Sequence, residues 1–129
     1  MALDLTFNAG TLSRLRKAVF DEAAGAGMPN HRAADVVIAV HELAANAVRH
    51  GAGGGLLTMR VQAGRLRCRV SDTGPERIDG NAFRAITTGQ PWPVLSGHGL
   101  WLVRETADEV TMASGPDGYS VTALFRLSG

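Results

Sequence analysis

The chain has one cysteine, Cys68, so no internal disulfide can form. Flanked by Arg67 and Arg69 in an alternating stretch, it reads as a small core residue rather than a nucleophile. No apolar run approaches the ~20 residues that cross a bilayer. The N-terminal MALDLTFNAG lacks the basic-then-apolar pattern of a signal peptide. The expectation is a soluble cytoplasmic protein. Charge of one sign is also missing: 13 Lys and Arg stand against 12 Asp and Glu, interspersed, for a net +1. That balance argues against a nucleic-acid binder, which needs a basic stripe. The nearest thing to one is Arg60, Arg65, Arg67 and Arg69, whose alternation assigns them to a solvated strand face. There is no internal repeat, no strict strand–helix–strand alternation and no Gly-x-x-x-x-Gly-Lys-Ser/Thr phosphate loop. A doubly wound nucleotide fold is therefore excluded.

What is present suits one globular domain over residues 1–129. The chain is 45% hydrophobic and long enough for a core without staples. Leu3–Phe7 alternates as an edge strand, and Thr11 is placed to cap a helix from Leu12 to about Ala24. Gly25–Asn30 breaks that helix. A second helix is expected over Ala33–Gly51, with Ala33, Val36, Val40, Leu43, Ala44 and Ala47 on one side and Glu42, Asn46, Arg49 and His50 in a separate polar stripe. After a glycine link, Ala52–Gly55, come strands Leu56–Gln62 and Arg65–Ser71 around an Ala63-Gly64 turn. A loop follows, then a helix over Gly99–Ala107 and strands Glu109–Ser114 and Tyr119–Leu127. This order implies a two-layer α/β sandwich: a mixed, mostly antiparallel sheet with helices on one face.

Three stretches carry chemistry. Glu42 and Asn46, at i and i+4, project side by side. A carboxylate there can take a proton from a hydroxyl nucleophile, and a carboxamide oxygen can ligate Mg²⁺. Asp72-Thr73-Gly74 sets a carboxylate at a strand end, where it can accept from an exocyclic amine such as adenine's. Gly97-His98-Gly99-Leu100 leaves bare backbone N–H groups at a helix start, where an anion is favoured. Each alone is ordinary: a solvated helix face, a turn, a loop-to-helix hinge.

Their order together resembles the GHKL ATPase superfamily of histidine kinases, type II topoisomerases, Hsp90-like chaperones and anti-sigma-factor kinases. Glu42-Leu43-Ala44-Ala45-Asn46-Ala47 resembles the N box, Asp72-Thr73-Gly74 the first glycine box and Gly97-His98-Gly99-Leu100 the second. The resemblance covers essentially the whole chain and implies a Bergerat-type sandwich, ATP and Mg²⁺. It makes Glu42 the general base, Asn46 the magnesium ligand, Asp72 the adenine-amine acceptor and Gly74 the glycine facing the ring. Gly97 and Gly99 become the phosphate-facing glycines, Leu100 packs below them, and residues 75–96 match the ATP lid. His98 suits either a phosphate contact or a solvent-facing position. One departure stands out: Pro75 and Glu76 follow Gly74 where the family pattern continues to a further glycine, which removes an N–H and stiffens the start of the lid.

Within the superfamily, a histidine kinase would carry a phosphoacceptor-histidine helix pair upstream, whereas here a strand is expected only a few residues from Met1. A free-standing domain with Glu opening the N box is most similar to the anti-sigma-factor serine/threonine kinases (RsbW-like). That resemblance implies a sigma factor and an anti-sigma-factor antagonist as partners, phosphorylation of the antagonist, and a possible homodimer. A non-catalytic nucleotide-sensing module of the same fold is the alternative, and an interaction protein without nucleotide is a further one.

Overall fold

The computed structural model describes residues 2–50, 53–72, 99–115 and 118–127. Strand β1 (Ala2–Asn8) leads through a short 3-10 turn (Ala9–Thr11) into α1 (Leu12–Gly25) and α2 (Asn30–His50). Strands β2 (Gly54–Gln62) and β3 (Arg65–Asp72) follow, then α3 (Gly99–Thr106), β4 (Glu109–Gly115) and β5 (Gly118–Arg126). The five strands form one sheet in the order β1-β2-β3-β5-β4. The sheet expected to be mostly antiparallel is antiparallel at all four described pairings.

The period-2 pattern of the strands decides which face is covered. Leu57 and Met59 of β2, Leu66, Cys68 and Val70 of β3, and Val121, Ala123 and Phe125 of β5 point one way and are buried. They meet Leu15, Val19 and Ala23 of α1, at helical spacing, and Val36, Val40 and Leu43 of α2 in a single core. Each buried Leu, Val or Phe contributes about 1.5–3 kcal/mol relative to exposure. Helix α2 packs against α1, α3, β2, β3 and β5, so it is the central element of the helical layer. Its start is tied to the far sheet edge. Arg32 Nη2 donates to the Arg126 carbonyl at 3.0 Å and lies 3.5 Å from Asp108.

Three local expectations change. Thr11 sits at the N-cap position of α1 without capping it. Its hydroxyl instead accepts from the Asn8 N–H at 2.9 Å, while Asn8 Oδ1 accepts from Gly10 at 2.8 Å, closing the 3-10 turn. Helix α2 begins at Asn30 rather than Ala33, because the Pro29 carbonyl already accepts from Arg32 and Ala33 at 3.0 and 2.9 Å. Gly54 and Gly55, expected in the link, are strand residues paired with Asn8 and Phe7. A Cβ on Gly55 would run into the Ser71 carbonyl, so the close approach of β2 to β3 here requires glycine. The β2–β3 turn is as expected: Ala63 and Gly64 have φ of 52° and 74°, the left-handed pair of a type I′ hairpin.

Cys68 lies at 0% exposure on β3, a core residue as its sequence context indicates. Burial pushes its thiol up to about 12 from 9.0. The native thiol is therefore expected to resist a water-soluble disulfide reagent at pH 8 and to react once the chain is unfolded in denaturant. Stoichiometric labelling of the native protein within minutes would contradict this burial. The same shift predicts a pH effect on stability. The unfolded thiol ionises above about 9 while the folded one stays neutral, so this group's contribution is intact below 9.0 and falls away as pH rises toward about 12.

Candidate functional site

Glu42 and Asn46 occupy successive turns near the C-terminal end of α2, as their spacing predicts. Their environments differ more than a shared polar stripe implies. Glu42 is half-buried, and its carboxylate makes no hydrogen bond or ion pair among the described residues. Asn46 is 1% exposed, the most enclosed polar side chain of the described chain. Its Oδ1 accepts from Arg49 Nη2 at 2.8 Å, and its Nδ2 has no hydrogen-bond partner among the described residues. Leaving a buried amide donor unmade costs about 1–3 kcal/mol, so an orphan of this kind calls for a ligand or a water. Arg49, one helical turn on, was legible only as part of the polar stripe. Its grip on the buried amide follows from the i,i+3 geometry of α2.

Asp72 is the last residue of β3 and is 5% exposed. It continues the inward series Leu66, Cys68, Val70, so its carboxylate belongs to the layer between sheet and helices, where α2 packs on β3. Across the sheet its register partner is Gly55. Gly99 and Leu100 open α3, which places a glycine at a helix N-terminus, where the first N–H groups have no partner within the helix itself. Gly74, Gly97 and His98, and the lid proposed over residues 75–96, lie outside the described residues.

Next to Glu42, Arg16 Nη1 lies 3.3 Å from His41 Nδ1, joining α1 to α2 one residue before the carboxylate. Among the described residues no group of three His, Cys, Asp or Glu could cage a metal. The available donor set is one amide oxygen with a carboxylate one turn away. That fits a hard cation such as Mg²⁺, which keeps several waters and is held largely by phosphates. A cleft of about 500 Å³ at the β1–β2 end, lined by Phe7, Gly54 and Gly55 among others, contains neither Glu42 nor Asn46.

An antiparallel five-stranded sheet covered by the described helices on one face is a two-layer α/β sandwich like the GHKL ATPase fold. The chain belongs to the histidine kinase-like ATPase domain family, whose model matches residues 5–125. It is similar in structure to the RsbU and RsbW domains of Rv1364c from Mycobacterium tuberculosis, with a TM-score of 0.71 and 21% identity over 98% of this chain. It spans only 32% of that protein's chain. The catalytic domain of histidine kinase ThkA matches with a TM-score of 0.56 and 15% identity over 96% of this chain and 97% of its own. Histidine kinase AdeS of Acinetobacter baumannii matches with a TM-score of 0.54 and 14% identity over 98% and 68%. At such identities these likenesses concern the fold. No curated protein matches the chain. Among the described residues no helix is long and apolar enough to cross a membrane.

Proposed function

We propose that this chain binds ATP with Mg²⁺ and acts as a regulatory serine/threonine protein kinase of the anti-sigma-factor type. In this reading it phosphorylates an anti-sigma-factor antagonist and, in another state, sequesters a sigma factor. The observation that carries the nucleotide reading is Asn46: a buried carboxamide with an orphan N–H, one turn from a carboxylate without a partner among the described residues. Family membership and the likeness to an RsbW-containing structure support the direction.

Bound Mg²⁺ would neutralise charge on the phosphates. Asn46 would hold it through Oδ1, whose second lone pair remains after Arg49 takes the first. At 1% exposure the amide is reached only if a neighbour yields, and Arg49, exposed on a long stem and bonded to Oδ1, is a described side chain that can. Asp72 would accept the adenine amine at the strand end, with Gly74 facing the ring. Gly97 and Gly99 would turn backbone N–H groups to the phosphates at the start of α3, with His98 beside them and Leu100 packed below. Glu42 would take the proton of the incoming Ser or Thr hydroxyl. The hydroxyl oxygen then bonds to the γ-phosphorus as the bond to the bridging oxygen breaks, and ADP leaves.

Mg-ATP at 100 times its Kd should stabilise the fold by about 2.7 kcal/mol, an upward Tm shift of roughly 5–10 °C for a chain this size. A thermal-shift assay reads it, and no shift at millimolar Mg-ATP sinks the nucleotide reading. Transfer of label from γ-labelled ATP to an antagonist protein separates a kinase from a nucleotide-sensing module, which would shift in Tm and transfer nothing.

A further inference from the structure

We propose that the open face of the sheet is a docking surface for an acidic segment of a partner protein, separate from the nucleotide site. The described helices cover only the other face, so among the described residues the outward side chains of all five strands form one surface. Strand register gathers five arginines there: Arg60, Arg65, Arg67, Arg69 and Arg126. Two acids share the face, Asp4 and Glu109. The surplus of three stands on a chain whose net charge is +1, so positive charge is segregated to this side.

The arrangement works against the sheet. Arg60 lies directly opposite Arg67 across β2–β3, and Arg65 directly opposite Arg126 across β3–β5. Like charges directly opposed on neighbouring strands are destabilising. Asp4 offsets one member of the first pair, at 2.9 Å from Arg60, and Glu109 one member of the second, at 2.8 Å from Arg65. Among the described residues the guanidinium groups of Arg67, Arg69 and Arg126 have no ion-pair partner. A solvated strand face could use threonine at these positions, as it does at Thr58, Thr111 and Thr122. Three uncompensated guanidiniums in a like-charged cluster point to a charge supplied from outside.

Beside them is a cleft of about 320 Å³ lined by Arg65, Arg67, Thr111, Thr122 and Leu124. It sits at the β2–β3 turn, the opposite end of β3 from Asp72, ~23 Å away along the strand. Five strands make a face roughly 24 Å wide and 25 Å long, about 600 Å², near one side of a standard interface. A second copy presenting the same face would bring like charge against like charge. Single-stranded nucleic acid needs aromatic platforms, and the outward positions described here hold none. Carboxylates on a protein segment suit the guanidiniums, with Leu56 and Leu124 available to apolar neighbours.

The probe is a fluorescein-labelled decaglutamate peptide, read by anisotropy at low salt, against a labelled single-stranded oligothymidine. Arg67→Glu with Arg69→Glu should weaken peptide binding at least about tenfold, while Arg14→Glu with Lys17→Glu on α1, an equal charge change, should alter it less than about twofold. The sheet-face variant should also keep or raise Tm, because a Glu opposite Arg60 removes a like-charged pair. If it does not fold, Arg67→Gln with Arg69→Gln serves in its place. Equal loss in both charge variants, or no peptide binding, overturns the proposal. Oligothymidine binding tighter than the peptide overturns the choice of partner. These outcomes are independent of whether the chain binds ATP.

Discussion

Asn46→Ala is expected to weaken Mg-ATP binding by at least about 100-fold while moving the Tm of the free protein by no more than about 5 °C. The two halves of this expectation rest on different physics. Losing a second-shell partner already costs a metal site roughly 10–100-fold, so losing the protein's ligand itself should cost at least the upper figure. Stability is less exposed. The substitution removes the bond between Oδ1 and Arg49, worth about 1.5–3 kcal/mol at most because Arg49 is solvated, and it also removes the orphan Nδ2, a burden of about 1–3 kcal/mol. These nearly cancel. Isothermal titration with ATP, with and without Mg²⁺, checks the first half and thermal unfolding the second. If the wild-type protein binds ATP equally well with and without Mg²⁺, and the variant matches it, Asn46 is not a metal ligand. A variant that loses both nucleotide binding and 15 °C of Tm would mean that Asn46 is structural.

For Glu42→Gln the expected signature is the reverse: ATP affinity within about threefold of wild type and phosphoryl transfer reduced by about 10²–10⁴, the usual range for a general base. Glutamine keeps the size and polarity of the side chain and removes only its ability to take a proton. Glu42 is half-buried and makes no hydrogen bond or ion pair among the described residues, so little of the fold depends on its charge. Single-turnover transfer from γ-labelled ATP to an antagonist protein is the direct measurement, with equilibrium binding alongside. Transfer at the wild-type rate would remove Glu42 from the chemistry. Loss of binding together with transfer would assign it to nucleotide or cation instead.

Much of the fold was legible because it is written in local periods. Leu15, Val19 and Ala23 recur at helical spacing, and Leu66, Cys68 and Val70 alternate, so the helices, the strands and their buried faces follow from which residues must leave water. The Ala63-Gly64 turn likewise needs only two residues to be read. The three stretches whose order resembles the ATPase family are also read from the sequence, as an order of residue types that no single stretch establishes.

What sequence could not supply depends on contacts between distant segments. Gly54 and Gly55 read as a link, since glycine has no intrinsic strand preference; their strand pairing is imposed by Asn8 and Phe7 on one side and, at Gly55, by Asp72 on the other. Asn46 read as one member of a polar stripe with Glu42, because a helical wheel cannot say how far neighbouring elements wrap around a helix. That is settled only once α2 takes its place among α1, α3 and the sheet, where Asn46 is 1% exposed and Glu42 half-buried. The arginines of β3 were rightly placed on a strand face by their alternation. That they stand opposite Arg60 and Arg126, and so form a charged surface, was decided by strand register, a property of pairing across the sheet that alternation along one strand does not contain.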